Sequence, residues 1–180
     1  MSRLPKLHIQ GHVYFVTTGV YQRIPIFTKP SFIIPLYDSL AFYRHQQKFK
    51  LLGYVIMPDH IHLVVWPHGR HTLSDFMRDF KEFTSKRIMR QAEVEENIAL
   101  MHSFRFAGAE TGRAVYKVWQ DDFFEKHIFT ERVLRQKLHY IHRNPVRAGL
   151  VETPDKYTYS SYRNYELDDN SFIEIDRDWY

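Results

Sequence analysis

Two runs of strand-forming residues, Leu51–Met57 and His60–Trp66, stand with only Pro58-Asp59 between them. Strands joined by two residues pair as an antiparallel hairpin, and the rest of the chain has to build around it. His12–Thr18 (HVYFVTT) is rich in β-branched and aromatic residues and predicts another strand. Gly19–Pro30 predicts a loop. Ser31–Gln47 predicts a helix, with Pro35 near its start and Ile33, Leu36, Leu40 and Tyr43 at helical spacing. His71–Met89 predicts a second helix, its apolar side formed by Leu73, Phe76, Phe80, Phe83 and Ile88. Glu93–Gly112 shows no clear period and predicts an insertion or mobile loop. Ala114–Gln120 (AVYKVWQ) predicts a fourth strand, and Asp121–Phe129 irregular chain. Thr130 is a good N-cap for a last helix that runs to about Arg143, where Pro145 limits it. Val146–Tyr165 predicts loop with short elements.

The order strand, helix, strand, strand, helix, strand, helix predicts an α+β fold. It is a ferredoxin-like split βαβ sandwich, an antiparallel sheet with helices on one face, plus a C-terminal helix. Such a fold decides nothing about chemistry.

A chain of 180 residues makes one domain. It has no cysteine, which excludes disulfides, thiolate metal sites and a cysteine nucleophile. No run approaches the ~20 apolar residues needed to span a bilayer, and Met1–Gln10 lacks the apolar core of a signal peptide. A cytoplasmic protein with no membrane partner is expected. The charge is uneven. From Glu166 to Tyr180 six acids stand against Arg177 alone, a net −5, so the other 165 residues carry +9 to give the overall +4. A basic, aromatic-rich body (residues 1–165) with an acidic tail (166–180) points to an anionic polymer partner, nucleic acid first.

In a strand, alternate side chains share a face, so His60 and His62 point the same way and Ile61 points into the other layer. Two imidazoles about 7 Å apart can converge on one metal ion, with a third ligand from elsewhere in the fold. The plain alternative is a pair of histidines on a solvated sheet face. On the last helix Leu134, Leu138 and Ile141 form a core stripe, while Gln136, Tyr140 and Asn144 recur on another face. Tyr140 reads either as a boundary residue or as a nucleophile. A tyrosine hydroxyl with a pKa near 10 needs activation or a metal-prepared electrophile.

The segment Met57–Val64 (MPDHIHLV) resembles the HUH motif, His-hydrophobic-His, of single-tyrosine transposases. Tyr140–Val151 (YIHRNPVRAGLV) resembles the signature of the REP-associated tyrosine transposases. Val118-Trp119-Gln120, the segment Tyr157–Tyr162 (YTYSSY) and the Leu73–Ser85 helix agree with it, and the resemblance covers Gly11 to Tyr165.

The resemblance implies a transposase domain over residues 1–165 that cleaves and rejoins single-stranded DNA, often folded as a hairpin. The implied metal ligands are His60 and His62, with Asn144 where related transposases carry a glutamine, and the implied nucleophile is Tyr140. The cofactor would be Mg2+ or Mn2+, the location nucleoid-associated, and the working form a monomer or a homodimer. Arg78, Lys81, Lys86 and Arg87 on the second helix, with Arg23, Arg143 and Arg147, are candidate DNA contacts. The acidic tail is a candidate lid over the basic groove. Two other readings stay open: a non-catalytic hairpin-binding relative, and a hydrolase that uses the histidines with water.

Overall fold

A computed structural model describes residues 11–112 and 114–178. The leader reading of Met1–Gln10 and the last two residues of the tail lie outside them. Four strands, β1 (Val13–Gly19), β2 (Phe49–Met57), β3 (His60–Pro67) and β4 (Phe124–Ile128), form one sheet in the order β2-β3-β1-β4. Every pairing is antiparallel. The β2–β3 hairpin is the one predicted, with Met57 opposite His60. Its two-residue turn is held from outside. The Asp59 carbonyl accepts from Val20 N–H at 2.8 Å and the Pro58 carbonyl from Phe27 N–H at 2.9 Å.

The sheet separates two apolar layers. Helices α1 (Pro30–His45) and α2 (Leu73–Val94) cover one face, over Val16, Tyr54, Ile56, Ile61, Leu63 and Val65. Between α2 and β4 the chain adds a third helix, α3 (Ile98–Thr111), where no period was expected. Asn97 caps it by accepting from Leu100 N–H, and Leu100, Phe104, Ala107 and Gly108 form its buried stripe. Ile98 and Phe106 are apolar yet exposed, which blurs the stripe in the sequence.

The fourth strand is also displaced from its expected place. Residues 114–120 do not join the sheet as a strand. They run against α3 and the end of β1, with Lys117 N–H donating to Phe104 O, and Gln120 N–H to Gly19 O. Trp119 and Val118 are buried there. The strand is Phe124–Ile128, at the sheet edge, where exposed residues alternate with half-buried ones and the apolar run is too weak to announce it.

The last helix, α4 (Glu131–Arg147), packs on the opposite face of the sheet from α1 and α2. Leu134 and Ile141 bury against Val13, Phe15, Leu52, Val55, Met57, Val64 and Ile128. Gly53 admits the helix closely, because a Cβ there would stand 2.5 Å from Leu138 Cδ2 and 3.2 Å from Ile141 Cδ1. The helix continues through Pro145, beyond the expected end at Arg143. Pro145 has no N–H to give to Ile141 O, and the helix ends two residues later. Leu150 N–H bonds Pro145 O and Gly149 N–H bonds Val146 O, around Gly149 at φ +69°.

The acidic segment follows a short helix, α5 (Tyr162–Glu166). Ile173 and Ile175 join the main core. Asp176 N–H donates to Leu51 O, and its carboxylate accepts from Leu51 N–H and Arg44. Glu174 pairs with Arg44 and Asp178 with Lys50. The segment thus edges β2 near Leu51, ~20 Å of strand from the Met57–His60 turn. Where the segment begins and near its end, Glu166 and Arg177 line a cavity shared with His139 and Arg143 of α4.

Candidate active site

The alternation of β3 sends Ile61 into the α1–α2 layer and turns His60 and His62 toward α4. Their rings meet edge to face with centroids 4.8 Å apart. Each ring is fixed through Nδ1. The Asp59 carboxylate accepts from His60 Nδ1 at 2.5 Å, and Arg23 Nη1 stands 3.5 Å from the other carboxylate oxygen. His62 Nδ1 lies 2.6 Å from Thr17 Oγ1, its partner residue across the β1–β3 ladder. The tautomer that donates there leaves a lone pair on Nε2, and that buried nitrogen has no hydrogen-bond partner. Burial, followed by the nearby positive charges of His60, Arg23 and Lys137, pushes the His62 pKa down to about 3. The ring is a neutral imidazole at ordinary pH, the form that binds metals.

Tyr140 faces this pair from α4. Its ring centroid is 5.5 Å from that of His62 and 5.9 Å from that of Phe15, which itself stacks on His62 at 5.4 Å. Tyr140 opens into a cleft of about 490 Å³ lined also by Gln136, His139, Arg143 and Arg147. The Arg147 guanidinium carbon lies 5.8 Å from the tyrosine ring centre. Lys137 Nζ stands 4.4 Å from the Phe15 ring centre and 5.6 Å from that of Tyr140. Partial burial and the neighbouring Lys126 lower the Lys137 pKa. Asn144 follows Tyr140 one helical turn on, half-buried, on the same side of α4. Among the described residues no group of three or more His, Cys, Asp or Glu surrounds a common point.

The seven expected DNA contacts divide by face. Arg23, Arg143 and Arg147 gather around the histidines and the tyrosine cleft. Arg78, Lys81, Lys86 and Arg87 ride on α2, across the sheet from α4. There Arg78 pairs with Asp75 and Asp79, Lys86 with Glu82, and Arg87 with Asp38. Lys81 donates to the carbonyls of Gln120, Asp121 and Asp122.

Sequence reasoning missed Thr17 and Asp59, which orient the histidines, and Lys137 and His139 beside the tyrosine. Lys137 was within reach, three residues before Tyr140 on one helix face. Thr17 was not, because only the β1–β3 register puts it opposite His62.

A family model described as "Transposase IS200 like" matches residues 8–144. The REP-associated tyrosine transposase of Escherichia coli strain K12 is 22% identical over 165 residues, covering 90% of this chain and 83% of that protein. A Haemophilus influenzae protein placed provisionally in the same group is 26% identical over 171 residues, covering 90% of this chain and 86% of that one. A solved REP-associated tyrosine transposase bound to a REP hairpin has the same fold, at TM-score 0.68 and 19% identity. The match covers 99% of this chain and 94% of that one.

Proposed function

The chain belongs to the IS200-like transposase family, and from that premise we propose that it is a metal-dependent single-strand DNA endonuclease and strand transferase acting on hairpin DNA. The observation that carries the reading is the approach of Tyr140 to the His60–His62 pair from a different element of the fold. The solved relative on a REP hairpin supports hairpin DNA as the substrate class.

The residues fit a divalent cation. His60 and His62 have Nδ1 engaged, and the buried Nε2 of His62 lacks a partner. Asn144, one turn beyond the tyrosine, is the amide expected beside them. A bound Mg2+ or Mn2+ supplies charge neutralisation at the scissile phosphate. The protein does the rest. Tyr140 attacks phosphorus as its hydroxyl proton passes to solvent, the P–O3′ bond breaks, and the released O3′ takes a proton from solvent to become a 3′-hydroxyl. The DNA 5′ end is then held as a phosphotyrosine. That ester keeps the phosphodiester energy, so a second 3′-hydroxyl can displace Tyr140 and reseal the strand. Arg143 and Arg147 line the cleft and hold the phosphates on either side of the bond. Phe15 stacks on His62, keeping the ring at its angle.

The test is covalent trapping. Wild type and Tyr140→Phe are incubated with labelled hairpins from the DNA flanking the gene, with Mg2+ or Mn2+, and run on denaturing gels. A metal-dependent adduct absent from Tyr140→Phe is expected. Cleavage that survives the substitution would move the chemistry to water. Binding without adduct or cleavage would leave a hairpin-binding protein.

A further inference from the structure

Gly19 is the last residue of β1 and pairs with His60 across the ladder. Its backbone is ordinary, with φ outside the left-handed region, so conformation does not require glycine there. Space does. Val13 and Phe15 bury on the α4 face and Thr17 bonds His62 on that face, so the alternation puts the missing Gly19 side chain there too. A Cβ at Gly19 would stand 3.2 Å from Gln120 Oε1 and 3.3 Å from Arg23 Nη1. Both are tighter than ordinary contact. The room left by the glycine is occupied by a glutamine amide oxygen and a guanidinium.

That places the Gln120 oxygen beside the residue that faces His60 across the ladder. Facing residues of antiparallel strands have Cβ positions roughly 5 Å apart, which puts His60 within reach of a side chain lying over Gly19. The segment bearing Gln120 is firmly held. Its N–H donates to Gly19 O at 2.9 Å, and Trp119 bridges Val20. The Trp119 indole is buried and donates to Thr84 Oγ1 at 2.9 Å. The backbone carbonyl of Gln120 accepts from Lys81. The side chain leaves this anchored backbone and remains exposed.

We propose that Gln120 supplies an oxygen ligand to the cation held by His60 and His62, and that residue 19 is glycine to let it in. The inference rests on the metal-dependent reading above. An amide oxygen suits the hard divalent cations that phosphoryl transfer uses, and it adds no charge to a site that must accept a phosphate. Arg23 flanks the same opening and reaches Asp59, so it serves as a positioning residue for His60.

The experiment reads metal binding without DNA or turnover. Mn2+ is titrated into the metal-stripped full chain by calorimetry and by electron paramagnetic resonance, with circular dichroism confirming the fold of each variant. Gln120→Leu is expected to weaken Mn2+ at least fivefold, Gln120→Glu to restore or tighten it, and Gly19→Ala to weaken it severalfold by crowding the amide. Asn144→Leu is measured beside them, and a loss there does not bear on Gln120 while Gln120→Leu also loses fivefold. A loss of less than fivefold in Gln120→Leu, with binding still abolished by His60→Ala, overturns this inference alone. Equal losses in the Leu and Glu variants overturn it too, since they mark a structural role. If wild type binds no Mn2+, or binds it independently of His60, the metal reading fails and this inference with it.

Discussion

Thr17 and His62 face one another across the β1–β3 ladder, and the 2.6 Å between Oγ1 and Nδ1 leaves Nε2 as the ring nitrogen without a hydrogen-bond partner. The outer partner of a ligating histidine commonly accounts for 10–100-fold in affinity. Thr17→Val keeps the shape and removes the oxygen. It is expected to weaken Mn2+ binding about tenfold while the protein stays folded, as calorimetry alongside urea unfolding would show. Unchanged binding would mean the ring is oriented by Phe15 alone.

Gly53 sets the distance between α4, which carries Tyr140, and the sheet. A valine there meets Leu138 and Ile141, and α4 has to lift or repack. The expected cost is about 1–3 kcal/mol in urea unfolding. Because Tyr140 rides on the lifted helix, adduct formation should fall more than hairpin affinity. Equal losses of both would show that the helix does not move as a unit.

Stability should depend on pH through two buried imidazoles. Burial, helped by His139, lowers the His142 pKa to about 4, while its Nε2 lies 2.9 Å from Ser161 Oγ. His62 is displaced in the same direction, to about 3. Between these values and the unfolded pKa near 6.5 the unfolded chain binds more protons than the folded one. The stabilisation is therefore complete above pH 6.5 and is lost as pH falls toward 4. Urea unfolding of the metal-stripped protein at pH 7.5 and 5.0 should differ by on the order of 4 kcal/mol, roughly half from each imidazole. In His142→Asn that difference should shrink, and a flat profile in the wild type would contradict the burial argument.

Removing residues 171–180 takes Ile173 and Ile175 out of the main core. Each buried side chain of this size contributes about 1.5–3 kcal/mol. The truncated chain should unfold several degrees lower in calorimetry, with its cleavage activity at low temperature unchanged or reduced. A rise in cleavage at full stability would instead support the lid reading.

The hairpin, the facing histidines and the tyrosine helix were legible because each is local. Two strands joined by Pro58-Asp59 leave one pairing, and Thr130 with Leu134, Leu138 and Ile141 declares a capped helix. What could not be read depends on long-range competition. The apolar segment 114–120 carries the stronger strand signal, yet its Trp119 and Val118 pack into the core, and the polar Phe124–Ile128 takes the vacant side of β1. Helix α3 was hidden by exposed Ile98 and Phe106. The Gly19 opening was invisible for the same reason as Thr17: both acquire meaning only from what the β1–β3 register sets beside them.

The turn between the histidine strands borrows its outer hydrogen bonds from the loop after β1, and this has a consequence for the order of assembly. The hairpin closes over a few residues, at small entropic cost and at high speed. The Thr17 contact spans 45 residues, and the bonds from Val20 and Phe27 to the turn span 39 and 31. The two imidazoles thus gain their spacing early and their aim late, once β1 has docked. A chain made without metal is therefore expected to reach the same native state, which circular dichroism of the metal-stripped protein would check.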